Sequence, residues 1–340
     1  MNKLKLLIAV LAFAVIASCS KNKAVSPNTV DNQAVNVYVA GVDGNVAKLW
    51  KNGVPIAYTD GKQPAGLSSV FVSGTDVYTG GFEGNFAKVW KNAVPVSLTD
   101  GKYSAVVNSI YILGSDVYAV GSEALSTTNT VAKIWKNGVA TSLTDGTQNA
   151  SASSVFVSGT DVYVVGFEAK IAKLWKNGTA TNLTNGAFAA EANSVVVSGN
   201  DVYVAGDILN DDGNEVATLW KNGVPNALTS GLYTASASSV FVSGTDVYVS
   251  GTESSDTPFG PSDVYNSIAK IWKNGVPTTL TNNTKATGLG GVFVLNGAVY
   301  TVGFQESGDV NTTAMYWKNG ASNALTTGTT EAAAISVFVK

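Results

Sequence analysis

The 340-residue chain has no histidine, no arginine and a single cysteine, Cys19. Without histidine there is no Ser-His-Asp or Cys-His nucleophilic catalysis, and no imidazole-ligated metal site. One thiol cannot close an intramolecular disulfide, so packing alone must hold the fold. All 21 basic residues are lysine, against 24 acids and a net charge of −3. Nucleic-acid recognition draws on clustered cations and bidentate arginine, so no nucleic-acid partner is expected. Charged residues make up only 13% of the chain and there are two methionines, which leaves little material for amphipathic surface helices. The 35 glycines instead suit a β-rich protein with many tight turns.

What fills the chain is one segment copied seven times. Each copy reads approximately S-V-F-V-S-G-T-D-V-Y-V-x-G-F-E, then A-K-L-W-K-N-G-V, then L-T-D-G. Trp50, Trp90, Trp135, Trp175, Trp220, Trp272 and Trp317 mark the copies at intervals of 40 to 52 residues. Four short β-patterned stretches in a period of that size predict a β-propeller blade. In the copy around Trp175, Ser154–Val157 alternates and leads through a Gly-Thr turn into Asp161–Val165. Ile171–Lys176 is the third strand, Asn177-Gly178 the next hairpin turn, and a short fourth strand falls near Thr181–Thr184. Asn-Gly recurs in six of the seven copies; Asn92-Ala93 is the exception.

The two ends of the repeat region are out of phase. Asn36–Val39 matches the second strand of a copy and Ser336–Val339 the first. The expectation is an all-β, seven-bladed propeller over 34–340, with four antiparallel strands per blade, closed by pairing the C-terminal strand with the N-terminal blade. The repeated tryptophans read as core between blades rather than as a ligand ring, because every blade needs the same large apolar wedge. Residues that break the repeat are the better functional candidates.

The N-terminus carries Lys3 and Lys5 before an apolar run from Leu6 to Ile16, the pattern of a secretory signal peptide over 1–18. Ile16-Ala17-Ser18-Cys19 resembles the lipobox of bacterial lipoproteins. That resemblance implies cleavage before Cys19, lipidation of its thiol and new amino group, and, with Ser20 following, sorting to the outer membrane. The remainder of 19–33 is polar and aperiodic, and reads as a flexible tether able to reach about 45–50 Å when stretched.

Length variation falls between the second and third strands of the copies. Thr252–Ser267 is the longest of these segments, and Ser122–Thr130, Asp207–Glu215 and Phe304–Thr313 are also extended. Loops on a rigid scaffold carry specificity, so a site is expected on that face, around the channel mouth. Asp207, Asp211, Asp212 and Glu215 cluster around Gly213, which reads first as a solvated hairpin tip and only weakly as a Ca²⁺ candidate. They do not match the spaced EF-hand pattern, and no other cofactor is expected. Acids recur after the second strand at Asp43, Glu83, Glu123, Glu168 and Glu253, either as a negative ring or as partners of third-strand lysines such as Lys88 and Lys173. Glu191 is the only acid at its repeat position, where the other copies have Gly66, Val106, Ser151, Ser236, Gly288 and Ala333. Asp256, Asp263 and Tyr265 complete the ligand-binding candidates on the longest loop. Ser267 and Lys270 spell S-x-x-K, but three residues apart on a strand they point to opposite faces.

The blade resembles the bacterial seven-bladed β-propeller repeat family. Gly244-Thr245-Asp246-Val247-Tyr248-Val249-Ser250-Gly251-Thr252 and Ile268-Ala269-Lys270-Ile271 stand in that family's order, while Trp after A-K-L in every copy departs from it. The resemblance implies a fold and an envelope setting but no catalytic residue. The function expected is a non-catalytic, lipid-anchored binding or scaffolding propeller, monomeric, engaging an extracellular or periplasmic glycan or protein. The alternative is a polysaccharide hydrolase or lyase using carboxylates or tyrosine at the channel mouth.

Overall fold

Every strand among the described residues belongs to a four-stranded antiparallel sheet, and seven such sheets stand around a ring. The computed structural model describes residues 35–340 apart from 126–128, 260–263, 283–284 and 309–310, and over 255–259 and 264–266 it describes the backbone only. The expected leader over 1–18, Cys19 and the expected tether lie outside the described residues. No helix occurs among those described.

The innermost strands are Ala332–Val339 in blade 1, Ala65–Ser73 in blade 2, Ala105–Leu113 in blade 3 and Ala150–Ser158 in blade 4. Ala190–Ser198, Ala235–Ser243 and Thr287–Leu295 serve blades 5, 6 and 7. Each runs from the variable-loop face to the hairpin face: in blade 2, Ala65 pairs with Glu83 at one end and Ser73 with Asp76 at the other. The ring closes as the termini predict, because Ala332–Val339 lies antiparallel to Val37–Asp43 and completes blade 1. Backbone bonds between Asn36 and Lys340 run in both directions and fasten the seam.

The strands exceed their alternating cores. The inner strand of blade 4 begins at Ala150 rather than near Ser154, and its outer strand is Thr179–Asn182. The excess arises where a β-bulge lets one extra residue into every inner strand, as between Leu67 and Ser69. The bulge also explains the glycine that every second strand carries. A Cβ on Gly81 would sit 2.0 Å from the carbonyl oxygen of Gly66, which the bulge pushes toward it. The longest variable segment is largely strand as well, with Asp246–Phe259 paired to Val264–Lys273 across an irregularity between Ser254 and Pro258.

One tryptophan fills each joint. All seven are essentially without solvent exposure. Trp90 of blade 2 packs with Tyr38, Ala40 and Leu49 of blade 1, and Trp220 of blade 5 with Tyr163, Val165 and Ala172 of blade 4. Burying so large a side chain contributes roughly 4–6 kcal/mol before entropy is counted. The hairpin face is equally uniform. Asn177 and Gly178 both take positive φ. Asn177 Oδ1 also accepts the Val162 N–H at 2.8 Å, and its Nδ2 donates to Asp161 at 2.8 Å. Lys176 bridges to the same Asp161 at 2.7 Å and lies over the Tyr163 ring. The asparagine is therefore chosen for its amide as well as for its backbone tolerance.

Candidate functional site

The variable-loop face is built from the same repeat, so a site there has to come from a departure. In five blades the acid at the end of the second strand pairs with the third-strand lysine: Asp43 with Lys48, Glu83 with Lys88, Glu123 with Lys133, Glu168 with Lys173, and Glu253 with Lys270. These acids are neutralised in pairs and form no negative ring. Lys270 is thereby committed to Glu253, away from any dyad with Ser267. Blade 7 replaces the pair with Gln305 and Met315, and blade 5 with Ile208 and Thr218.

In blade 5 the acid has moved back one residue, to Asp207. Successive strand residues face opposite sides of the sheet, so this shift turns the carboxylate away from the lysine row. Asp207 is only 8% exposed, where blades 2, 4 and 7 have Phe82, Phe167 and Phe304. Its Oδ2 accepts from Ser236 Oγ of blade 6 at 2.8 Å and from Asn193 Nδ2 at 3.2 Å. Burial raises its pKa from 3.8 to about 6, against the pull of the Ser236 bond, and the charges of Glu215 and Glu191 push the same way.

Glu191 is the direct cross-strand partner of Asp207, which puts their Cβ atoms about 4.5–5.5 Å apart on one face. Glu191 lies within the inner strand, not before it as its sequence position suggests. Loss of water, and then the charge of Glu215, raise its pKa too. The structure thus assembles Glu191 and Asp207, with Glu215 close enough to act on both.

The remaining candidates are not gathered there. Asp211 and Asp212 are exposed at a hairpin tip that Asn210 organises. Asn210 Oδ1 accepts from the N–H groups of Asp212 and Asn214, and its Nδ2 donates to Gly231 O at 2.8 Å. Among the described residues no three Asp, Glu, Cys or His side chains converge as a metal site requires. Of the four residues of the Ca²⁺ reading, Asp207 faces Asn193 and Ser236, while the turn holding Asp211 and Asp212 takes its order from Asn210. Asp263 and the side chains of Asp256 and Tyr265 lie outside the described residues, as does Cys19.

A feature the sequence reading missed lies on the axis. The bulged inner strands enclose a cavity of about 430 Å³. Ser68, Asn108, Ser153, Asn193 and Ser238 face it on five blades, and Gly290 and Ile335 on the other two. Below them lie Ser69, Ser109, Ser154, Ser194, Ser239 and Ser336, with Gly291 in blade 7. Each of these six serines accepts a backbone N–H from the next blade at 3.1–3.4 Å, as Ser69 does from Ile110 and Ser154 from Val195. Two residues nearer the hairpin face, Phe71, Tyr111, Phe156, Phe241, Phe293 and Phe338 form a collar. Neighbouring rings are 4.7–5.1 Å apart, and Val196 interrupts the series in blade 5. The recurrent serine was visible in the repeat, but which side of an inner strand meets the axis depends on the bulge.

No family model matches the chain, and no curated protein does. Among solved structures, a puromycin-hydrolyzing peptidase of Mycobacterium tuberculosis matches with a TM-score of 0.54 at 11% identity, over 85% of this chain and 53% of that one. One of two prolyl endopeptidases analysed for inter-domain dynamics matches at TM-score 0.46 and 13% identity, over 90% of this chain and 50% of its own. A putative TolB from Agrobacterium tumefaciens gives TM-score 0.44 at 9% identity, over 90% and 98%. The chain spans about half the length of the two peptidases. At such identities the likeness concerns the fold alone, and the fold is the seven-bladed β-propeller that the sheet topology shows.

Proposed function

We propose that this chain is a non-catalytic binding and scaffolding propeller of the bacterial cell envelope, held at the outer membrane through a lipid on Cys19. It engages a glycan or protein partner with its variable-loop face. The observation that carries the reading is the break in blade 5. Seven blades share one construction; blades 5 and 7 give up the ion pair, and among the described residues blade 5 alone places a buried carboxylate, Asp207, cross-strand from Glu191 and bonded to Asn193 of the axial cavity. A buried charge without a cation weakens the fold, and such a cost at a channel mouth points to binding. Screening the chain from Ser20 onward on glycan arrays and in envelope pull-downs tests it. Asp207→Asn and Glu191→Gln should weaken capture, and unchanged capture by both would refute the placement. For the anchor, Cys19→Ser should abolish acyl labelling and release the protein from membranes.

A second reading has one observation in its favour. Two carboxyls on adjacent strands, one raised to about 6 and so partly protonated near neutrality, are the arrangement an acid and a nucleophile or base would need on a polysaccharide. Release of reducing ends from envelope polysaccharides, lost in Asp207→Asn, would establish hydrolysis. Binding without turnover would leave the scaffold reading.

A further inference from the structure

We infer that the axial cavity is itself the ligand pocket, and that it takes the neutral, hydroxyl-rich terminal residue of a glycan. This rests on the glycan form of the binding proposed above and adds where the sugar sits and which sugars are refused.

The hydrogen-bond directions are the first ground. In the lower tier each serine oxygen already accepts an N–H from the neighbouring blade, as Ser109 does from Val155 and Ser194 from Val240. A hydroxyl has one hydrogen and two lone pairs, so its hydrogen is left for an acceptor in the cavity. The asparagines of the upper tier are set the opposite way. Asn108 Nδ2 donates to Ser151 Oγ and Ala152 O, and Asn193 Nδ2 to Asp207 and Ala237 O. Their amide hydrogens are used within the wall, and each Oδ1 remains an acceptor. The cavity therefore presents many donors and a few acceptors, which is what a ring bearing hydroxyls and ether oxygens satisfies.

Shape and charge narrow the class. The volume of about 430 Å³ falls within the roughly 300–1,000 Å³ usual for small-molecule sites. One sector of the wall, Gly290, Gly291 and Ile335, is apolar. Blade 5, with Asn193, lies across the ring from blade 1. A pyranose likewise has a C–H face and hydroxyl edges. Anions would also satisfy donors, but no lysine lines the cavity and Glu191, Asp207 and Glu215 hold the approach negative. Uronates and sialylated ends are therefore disfavoured.

Calorimetric titration of the chain from Ser20 onward with maltose, lactose, mannobiose, N,N′-diacetylchitobiose and digalacturonate tests the inference. The variants are Ser153→Leu and Ser238→Leu, which fill the cavity at hydroxyls with no bond to the wall, and Asp211→Ala at the rim. Thermal unfolding within a few degrees of wild type certifies the fold of each. At least one neutral disaccharide should bind, digalacturonate at least tenfold more weakly, and both filling variants should lose at least tenfold while Asp211→Ala binds as wild type. Equal binding by the filling variants, with sugar still bound, would overturn the cavity assignment and leave rim recognition standing. Preference for digalacturonate would overturn the charge argument. A peptide bound in the cavity in place of any sugar would overturn the ligand class. If no saccharide binds, on arrays or in titration, the glycan reading itself falls.

Discussion

Blades 4 and 5 start from the same repeat and treat an acid in opposite ways. In blade 4, Glu168 ends its strand against Lys173 in a half-buried ion pair. In blade 5 those positions are Ile208 and Thr218, and the carboxylate sits one residue earlier, at Asp207. In a strand one residue is one face. A displacement that would matter little in a loop moves the charge from a lysine at the rim to two neutral donors between blades. The acid in blade 4 has a cation beside it, whereas the acid in blade 5 is buried against neutral donors. A repeat protein can thus bury a carboxylate by a small error of phase, while six other copies preserve the scaffold.

The largest effect expected tests whether the two blades really share that scaffold. Trp175→Ala and Trp220→Ala empty the joints before blades 4 and 5, and each should destabilise by about 3–5 kcal/mol in urea unfolding. A markedly smaller loss at Trp220 would show that blade 5 is loosely seated and that its acid is less buried than the structure has it.

Next comes the acid itself. The folded pKa of Asp207 is raised from 3.8 to about 6, so the unfolded chain releases this proton first as pH rises. The contribution of Asp207 to stability is therefore fully present below about pH 4 and is lost as pH climbs to 6, by up to about 3 kcal/mol. Asp207→Asn should abolish that slope and be the more stable protein at pH 7. Glu168→Gln leaves Asp207 in place, so the same denaturation series on that variant should still fall across the window. Parallel pH profiles for Asp207→Asn and wild type would refute the burial argument.

Smaller again is the exchange of the two designs. Lys173→Met removes the cation beside Glu168 and should cost about 1–2 kcal/mol, since that pair is partly shielded from water. Ile208→Glu with Thr218→Lys should install the missing pair in blade 5 and gain about 0.5 kcal/mol. A double-mutant cycle on the new pair measures it, and zero coupling would mean the third strands are not equivalent.

The smallest concerns the hairpin face, where Ala93 holds a left-handed φ of 66° in the one turn lacking glycine. The strain of about 1–2 kcal/mol exceeds the extra flexibility that glycine confers on the unfolded chain, about 0.4–1 kcal/mol. Ala93→Gly should stabilise by about 0.5–1 kcal/mol in thermal unfolding, and any loss would contradict the turn geometry.

Much of this was legible beforehand. Glu191 stood out because six copies have a small or apolar residue at its position, and pairing of Lys88 and Lys173 with their acids was one of the two readings offered. Asp207 was noticed as part of an acidic loop with Asp211, Asp212 and Glu215. Its true partners, Asn193 and Ser236, are 14 and 29 residues away in the chain, one of them in another blade, and no local pattern announces them. The serine-lined cavity was overlooked because a residue present in nearly every copy reads as structure, and these serines are structural and cavity-lining at once.

Blade number, strand order and the closure of the ring followed from the sequence alone, because a period, a hairpin turn and two mismatched ends are local signals that survive without coordinates. The axial cavity, the serines that line it and the seclusion of Asp207 were decided by tertiary structure. They depend on bulges and on bonds between adjacent blades, and such contacts exist only once the ring has formed.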